Sequence, residues 1–87
     1  TVFTTVTLAQ HSEEQVRQFE AIVNRRPEIM ECYTITGNRD YLLRIIAKDI
    51  ESYDRMLTEQ FLHLPIINSV NSRFALRNVK YSTELPI

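Results

Sequence analysis

The sequence predicts an α+β domain, and three observations lead there. Short β-branched runs alternate with two stretches whose apolar residues recur at helical spacing. A proline follows each helical stretch, at Pro27 and Pro65, and the one glycine of the chain lies between two apolar runs near its middle.

Val2–Leu8 (VFTTVTL) is β-branched and short enough for a strand, with Val2, Val6 and Leu8 on one face. Ser12 followed by Gln15 makes a capping box, and Val16, Phe19, Ile22 and Val23 form one helical stripe. A helix is therefore expected from Ser12 or Glu13 to about Arg25, stopped by Pro27. Residues 29–36 (IMECYTIT) and 41–47 (YLLRIIA) read as two strands close enough in sequence to pair as an antiparallel hairpin. Asp49 suits the N-cap of a second helix whose stripe is Tyr53, Met56, Leu57 and Phe61, ended by Pro65. Residues 67–81 alternate imperfectly, Val70, Ser72, Phe74 and Leu76 against Asn71, Arg73, Ala75 and Arg77, and read as a long fourth strand. Residues 82–87 are a tail or short edge strand limited by Pro86. This order is that of a ferredoxin-like βαββαβ sandwich, an antiparallel four-stranded sheet with two helices on one face.

The central hairpin is apolar on both sides, through Tyr33, Ile35, Leu43 and Ile45 and through their opposite-parity neighbours Cys32, Leu42 and Ile46. Helices can cover one side only. An uncovered apolar sheet face of several hundred Å² marks an association surface, so the expectation is a homodimer joined through its sheets.

Eighty-seven residues with 44% hydrophobic content, four phenylalanines and four tyrosines make one domain, 1–87, with a small core. A net charge of −1 excludes the broad basic surface that binding to a phosphate backbone requires. Cys32 lies inside an apolar strand and reads as inert packing in a reducing compartment. His11 and His63 lack partners at ligand spacing, so no metal and no cofactor are expected. No run is long enough for a membrane span, and a soluble, cytoplasmic protein is expected. Because the chain enters a strand pattern directly from Thr1, a further N-terminal segment is expected in the parent protein.

The chemistry concentrates in Thr36-Gly37-Asn38-Arg39-Asp40-Tyr41. Gly37 admits a positive φ and close approach of backbone amides to a ligand, and Asp40 adds a carboxylate beside them. Amides facing a carboxylate and Asp40 facing an ammonium would hold a small zwitterion. The same residues also make good hairpin punctuation, and Arg39 reads equally as a carboxylate clamp or as a solvated loop charge. Asn24, Arg25 and Arg26 sit where a helix C-terminus welcomes positive charge, and His63 near the second helix end does the same.

Pro27-x-Ile29-x-Glu31-Cys32-Tyr33, Thr36-Gly37-x-x-Asp40-Tyr41-Leu42-Leu43, Leu64-Pro65 and Val79-Lys80, in that order and spacing, resemble the effector domain of the leucine-responsive regulator/AsnC family. The resemblance spans essentially the whole chain. It implies a ferredoxin-like domain that dimerises as an α/β barrel, often assembles into octamers, and binds amino acids or related metabolites at subunit interfaces. DNA would be contacted only through an N-terminal helix-turn-helix domain outside this chain. The family's ligand-loop glycine and aspartate fall on Gly37 and Asp40, with Asn38 and Arg39 between them and Tyr41 as the usual aromatic. Ser72 matches the small hydroxyl residue of the last strand, with Asn68, Ser69 and Asn71 nearby. Ile66 departs from the pattern, which usually has glycine after Leu-Pro. The expected function is thus effector binding and oligomerisation in a transcription regulator, without catalysis. The alternative is a small dimeric α/β-barrel enzyme acting on a small organic molecule, which the fold alone does not exclude.

Overall fold

The computed structural model describes residues 1–9, 13–36 and 40–85. Along the chain these form β1 (Val2–Leu8), α1 (Glu13–Arg25), β2 (Ile29–Ile35), β3 (Asp40–Ile45), α2 (Ile50–Gln60) and β4 (Ile67–Phe74). The four strands make one antiparallel sheet in the order β2-β3-β1-β4, the expected ferredoxin-like sandwich.

Strand β1 is central, pairing with β3 on one side and β4 on the other. Its period of two sends Val2, Thr4, Val6 and Leu8 to a single buried face, beside Tyr41, Leu43 and Ile45 of β3. Both helices lie on that face. The Phe19 ring of α1 is fully buried, 4.8 Å from the Tyr41 ring and 5.5 Å from that of Phe61. Val23 of α1 and Tyr53, Met56 and Leu57 of α2 complete the same core. Burying one such aromatic or aliphatic side chain contributes about 1.5–3 kcal/mol, so Phe19, touching both layers and the end of α2, joins three elements at once.

Local chemistry sets the helix ends. Glu13 and Glu14 in the first turn of α1 and Arg25 in its last complement the helix dipole. The capping box expected from Ser12, and His11 before it, lie outside the described residues. Asp49 caps α2 as expected, its carboxylate accepting the Ser52 backbone N–H at 2.7 Å. That bond holds the Asp49 carboxyl below its ordinary range. The helix ends at Gln60, before Pro65, where the Phe61 N–H reaches the Leu57 carbonyl. Ile66, at the position of the family's usual glycine, is buried in the core, and its carbonyl accepts the Ala9 N–H at 2.7 Å. At the end of α1, Arg26 pairs with Glu28 at 2.8 Å, which gives this end of the basic cluster a structural role.

Two expectations need correction. The fourth strand ends at Phe74, which faces Val2 of β1, rather than at residue 81. Residues 75–85 have no facing strand among the described residues and belong to none. In the central hairpin, numerical parity does not predict shared faces: the register pairs Cys32 with Leu43 and Tyr33 with Leu42. Cys32, Leu43 and Ile45 therefore face the helices, whereas Tyr33, Ile35 and Leu42 share the opposite, outer face with Phe3 and Thr5. A register irregularity between Ile29 and Glu31 precedes these pairs. Phe3, Tyr33 and Ile35 are exposed there, so the hairpin is apolar on both sides as expected.

Thr4 is the one buried polar residue among the described side chains, and its hydroxyl meets the Tyr53 hydroxyl at 2.9 Å. Replacing Tyr53 by Phe leaves that threonine unpartnered in an apolar layer. The expected cost is about 1–3 kcal/mol, read as a lower urea midpoint with an unchanged slope.

Candidate functional site

Asp40 is the first residue of β3, opposite Thr7 of β1 and Ile35 of β2. On the outer face, the Thr7 hydroxyl donates to Asp40 Oδ1 at 2.8 Å. This bond links the loop carboxylate to the central strand and fixes its direction at the end of the sheet. Gly37, Asn38 and Arg39, the rest of the expected ligand loop, lie outside the described residues. Thr7 was not singled out from the sequence. Its alternation with Val6 puts it on the outer face, but which residue lies across from it depends on strand register.

Tyr41, one residue further, points the opposite way. It is buried under α1, its ring against Phe19 and its hydroxyl donating to Glu20 Oε2 at 2.6 Å. Burial first, then the hydrogen bond to Glu20 and that residue's charge, raises the Tyr41 phenol far above its ordinary value. Glu20 carried a signal that the stripe analysis passed over: it is four residues after Val16 and three before Val23, on the edge of the apolar face. Burial, with the charge of Glu20, also raises the Cys32 thiol above its usual range, the direction of an inert thiol.

Ser72 faces the helices from β4, opposite Thr4 of β1. Its hydroxyl is hydrogen-bonded to that of Tyr53, which also meets Thr4, so three hydroxyls from β1, α2 and β4 form one chain. Within one copy the structure therefore does not bring the described candidate residues together. Asp40 is on the outer face, Tyr41 and Ser72 are on the inner face, and β1 runs between the strands that carry them.

The outer face has its own electrostatics. Arg44 donates to Glu31 at 2.7 Å across β3 and β2, and this bond holds the Glu31 carboxyl low. Hydrogen bonding to Glu31 in turn raises the Tyr33 phenol. Among the described residues no cluster of three or more His, Cys, Asp or Glu side chains is placed to hold a metal ion. No described helix is long and apolar enough to cross a membrane. A cavity of about 20 Å³ between α1 and the turn before β4, lined by Phe19, Leu64 and Ile66 among others, is of water size.

The chain is a two-layer sandwich with both helices on one sheet face and a carboxylate anchored at the loop end of the other. Residues 1–85 match the Lrp/AsnC ligand binding domain, and the chain belongs to that family. It is 32% identical over 87 residues to the transcriptional regulator AzlB of Bacillus subtilis (strain 168), covering 100% of this chain and 55% of that protein. Two solved structures each share 98% of this chain and 55% of their own. An AsnC family transcriptional regulator from Agrobacterium tumefaciens matches with a TM-score of 0.81 at 39% identity. A transcriptional regulator from Neisseria meningitidis in complex with L-Met matches with a TM-score of 0.86 at 27% identity. The chain thus spans about half the length of these relatives.

The raised Tyr41 phenol links folding to alkaline pH. Its folded value lies above the unfolded value near 10.0, so its contribution is complete below pH 10 and is lost as pH rises toward the folded value. Urea denaturation at pH 8 and pH 11 should show a larger alkaline loss for the native chain than for Tyr41→Phe. At pH 8 the variant should be less stable by about 1 kcal/mol, from the lost hydrogen bond to Glu20.

Proposed function

We propose that this chain is the effector-binding and oligomerisation domain of a transcription regulator, sensing an amino acid or a related small metabolite at a subunit interface. The observation that carries this reading is the Asp40 carboxylate, tied by Thr7 to the rim of the uncovered sheet face. A carboxylate so placed suits the ammonium of a zwitterion. Membership of the family, and the L-Met complex of the Neisseria relative, support a ligand of this kind.

A second copy meets two needs. A domain of about this size buries only about 60–65% of its unfolded surface, and the exposed Phe3, Tyr33 and Ile35 gain from being covered. The described candidates Asp40, Tyr41 and Ser72 also lie on both sides of one sheet, so a site that includes Asp40 is completed by groups from another copy. In this reading the chain forms a homodimer, which in turn assembles further, up to octamers. DNA is contacted by an N-terminal helix-turn-helix domain of the parent protein, in the cytoplasm. The domain itself performs no chemistry on its ligand. Its work is thermodynamic: a tenfold preference of the effector for one assembly over another shifts their balance by about 1.4 kcal/mol per site, and attached DNA-binding domains are respaced with it.

A thermal-shift series with each of the twenty amino acids should show a concentration-dependent rise in melting temperature for one or a few of them. Calorimetry with the best of these should give at least tenfold weaker binding to Asp40→Ala, with an unaltered circular dichroism spectrum. Equal affinity in the two proteins removes Asp40 from the site.

A further inference from the structure

The Thr7 hydroxyl has a single proton, and Asp40 takes it. A carboxylate oxygen accepts and cannot donate, so threonine is the donor in the 2.8 Å bond from Thr7 Oγ1 to Asp40 Oδ1. What Thr7 has left to offer is lone pairs. Asp40 Oδ2 has no hydrogen-bond or ion-pair partner among the described residues, so two acceptors stand side by side with no donor of their own to spare. Both residues are half-buried, and neither is sealed in the core. Thr7 is β-branched and takes few rotamers in a strand, so the direction of its oxygen is set before a ligand arrives.

Strand register gives this pair neutral surroundings. Thr7 lies between Asp40 of β3 and Ser69 of β4, and the next row of the outer face holds Leu42, Thr5 and Asn71. The described cations of this face come one row further, where Phe3 lies between Arg44 and Arg73. Arg44 is about 13 Å from Asp40 along an extended strand, and it already holds Glu31 at 2.7 Å. No described cation therefore meets the charge at the loop end, which leaves it to a cation from solution.

We propose that Thr7 is itself a ligand residue: its oxygen and Asp40 Oδ2 each accept an N–H from the primary ammonium of the effector. This inference rests on the effector-binding reading above and narrows the ligand to an unmodified amine. Two groups already in hydrogen-bond contact lie close enough for one nitrogen to reach an oxygen of each, at the roughly 2.7–2.9 Å of a charge-assisted bond. An ammonium has protons for both acceptors with one to spare. A 2-keto acid brings acceptors only, which this pair repels. A 2-hydroxy acid brings one neutral donor and an N,N-dimethylamino acid one charged donor, so each leaves an acceptor unmatched. Discrimination of this kind comes from polar groups that the wrong ligand leaves unpaired, and an apolar pocket does not supply it.

The test is calorimetry on the 87-residue chain with two probes: the primary amino acid of the standard set that raises its melting temperature most, and the N,N-dimethyl derivative of that amino acid. The native chain is compared with Thr7→Val, Thr7→Ser and Asp40→Ala, each first checked for a native circular dichroism spectrum. The native chain should bind the amino acid about tenfold or more tighter than its dimethyl form, the worth of one hydrogen bond to a charged group. Thr7→Val keeps the branched shape and loses the oxygen. The ratio of the two affinities should then fall about fivefold or more, since Asp40 alone receives both probes, and the bulk of the methyl groups cancels from the comparison. Thr7→Ser restores the hydroxyl and should bring the ratio back to within about threefold of native. If Thr7→Val weakens both probes by one common factor, or weakens neither, Thr7 does no more than hold Asp40, and the inference is overturned while the effector site stands. If Asp40→Ala binds the amino acid as the native chain does, or no amino acid changes the melting temperature, the effector reading fails and takes this inference with it.

Discussion

Strand β1 is the constraint on which the rest of this domain depends. Its main chain is hydrogen-bonded on both edges, to β3 and to β4, and its even-numbered side chains are the floor on which both helices rest. Thr4 in the middle of that floor would weaken an apolar layer, but its hydroxyl is satisfied by Tyr53. The same contact ties α2 to β1, and through Ser72 to β4. Elsewhere on the same floor, Phe19 does for α1 what Tyr53 does for α2, filling the space between Tyr41 and Phe61.

Because both helices lie on one side, the two faces of the sheet have different duties. The inner face uses its polar groups up internally: the Tyr41 phenol on Glu20, Ser72 on Tyr53 and Thr4. Those bonds stabilise the fold and leave the outward work to the other face. There Asp40 is held by Thr7 at the loop end, and exposed aromatic residues flank the Glu31–Arg44 pair. In the function proposed above, a domain arranged in this way acts by associating, and a ligand that enters between copies changes how firmly they associate.

The helices were legible in the sequence because their signals are local. The stripe of Val16, Phe19, Ile22 and Val23 and the cap at Asp49 each involve residues within a few positions of one another. Strand existence was legible for the same reason. Strand length was not, since the extent of β4 follows from its pairing with β1, a segment more than sixty residues away in sequence. Asp40 was singled out by the spacing Gly37-x-x-Asp40, whereas its partner Thr7 was not, because only the β1–β3 register places them together. Tyr41 shows the converse limit. Alternation separates it from Asp40, but which of the two faces the helices follows from where the helices pack.

By itself the sequence determined the element order, the helix stripes, the glycine–aspartate loop and the surplus of apolar residues over what two helices can cover. These are short-range properties, written in periodicity and turn chemistry. Tertiary structure alone decided that Thr7 holds Asp40, that Tyr41 and Ser72 turn inward to carboxylate and hydroxyl partners, and that β4 ends at Phe74. Each of these depends on strand register and layer packing, which join residues far apart along the chain and leave no trace in any local window.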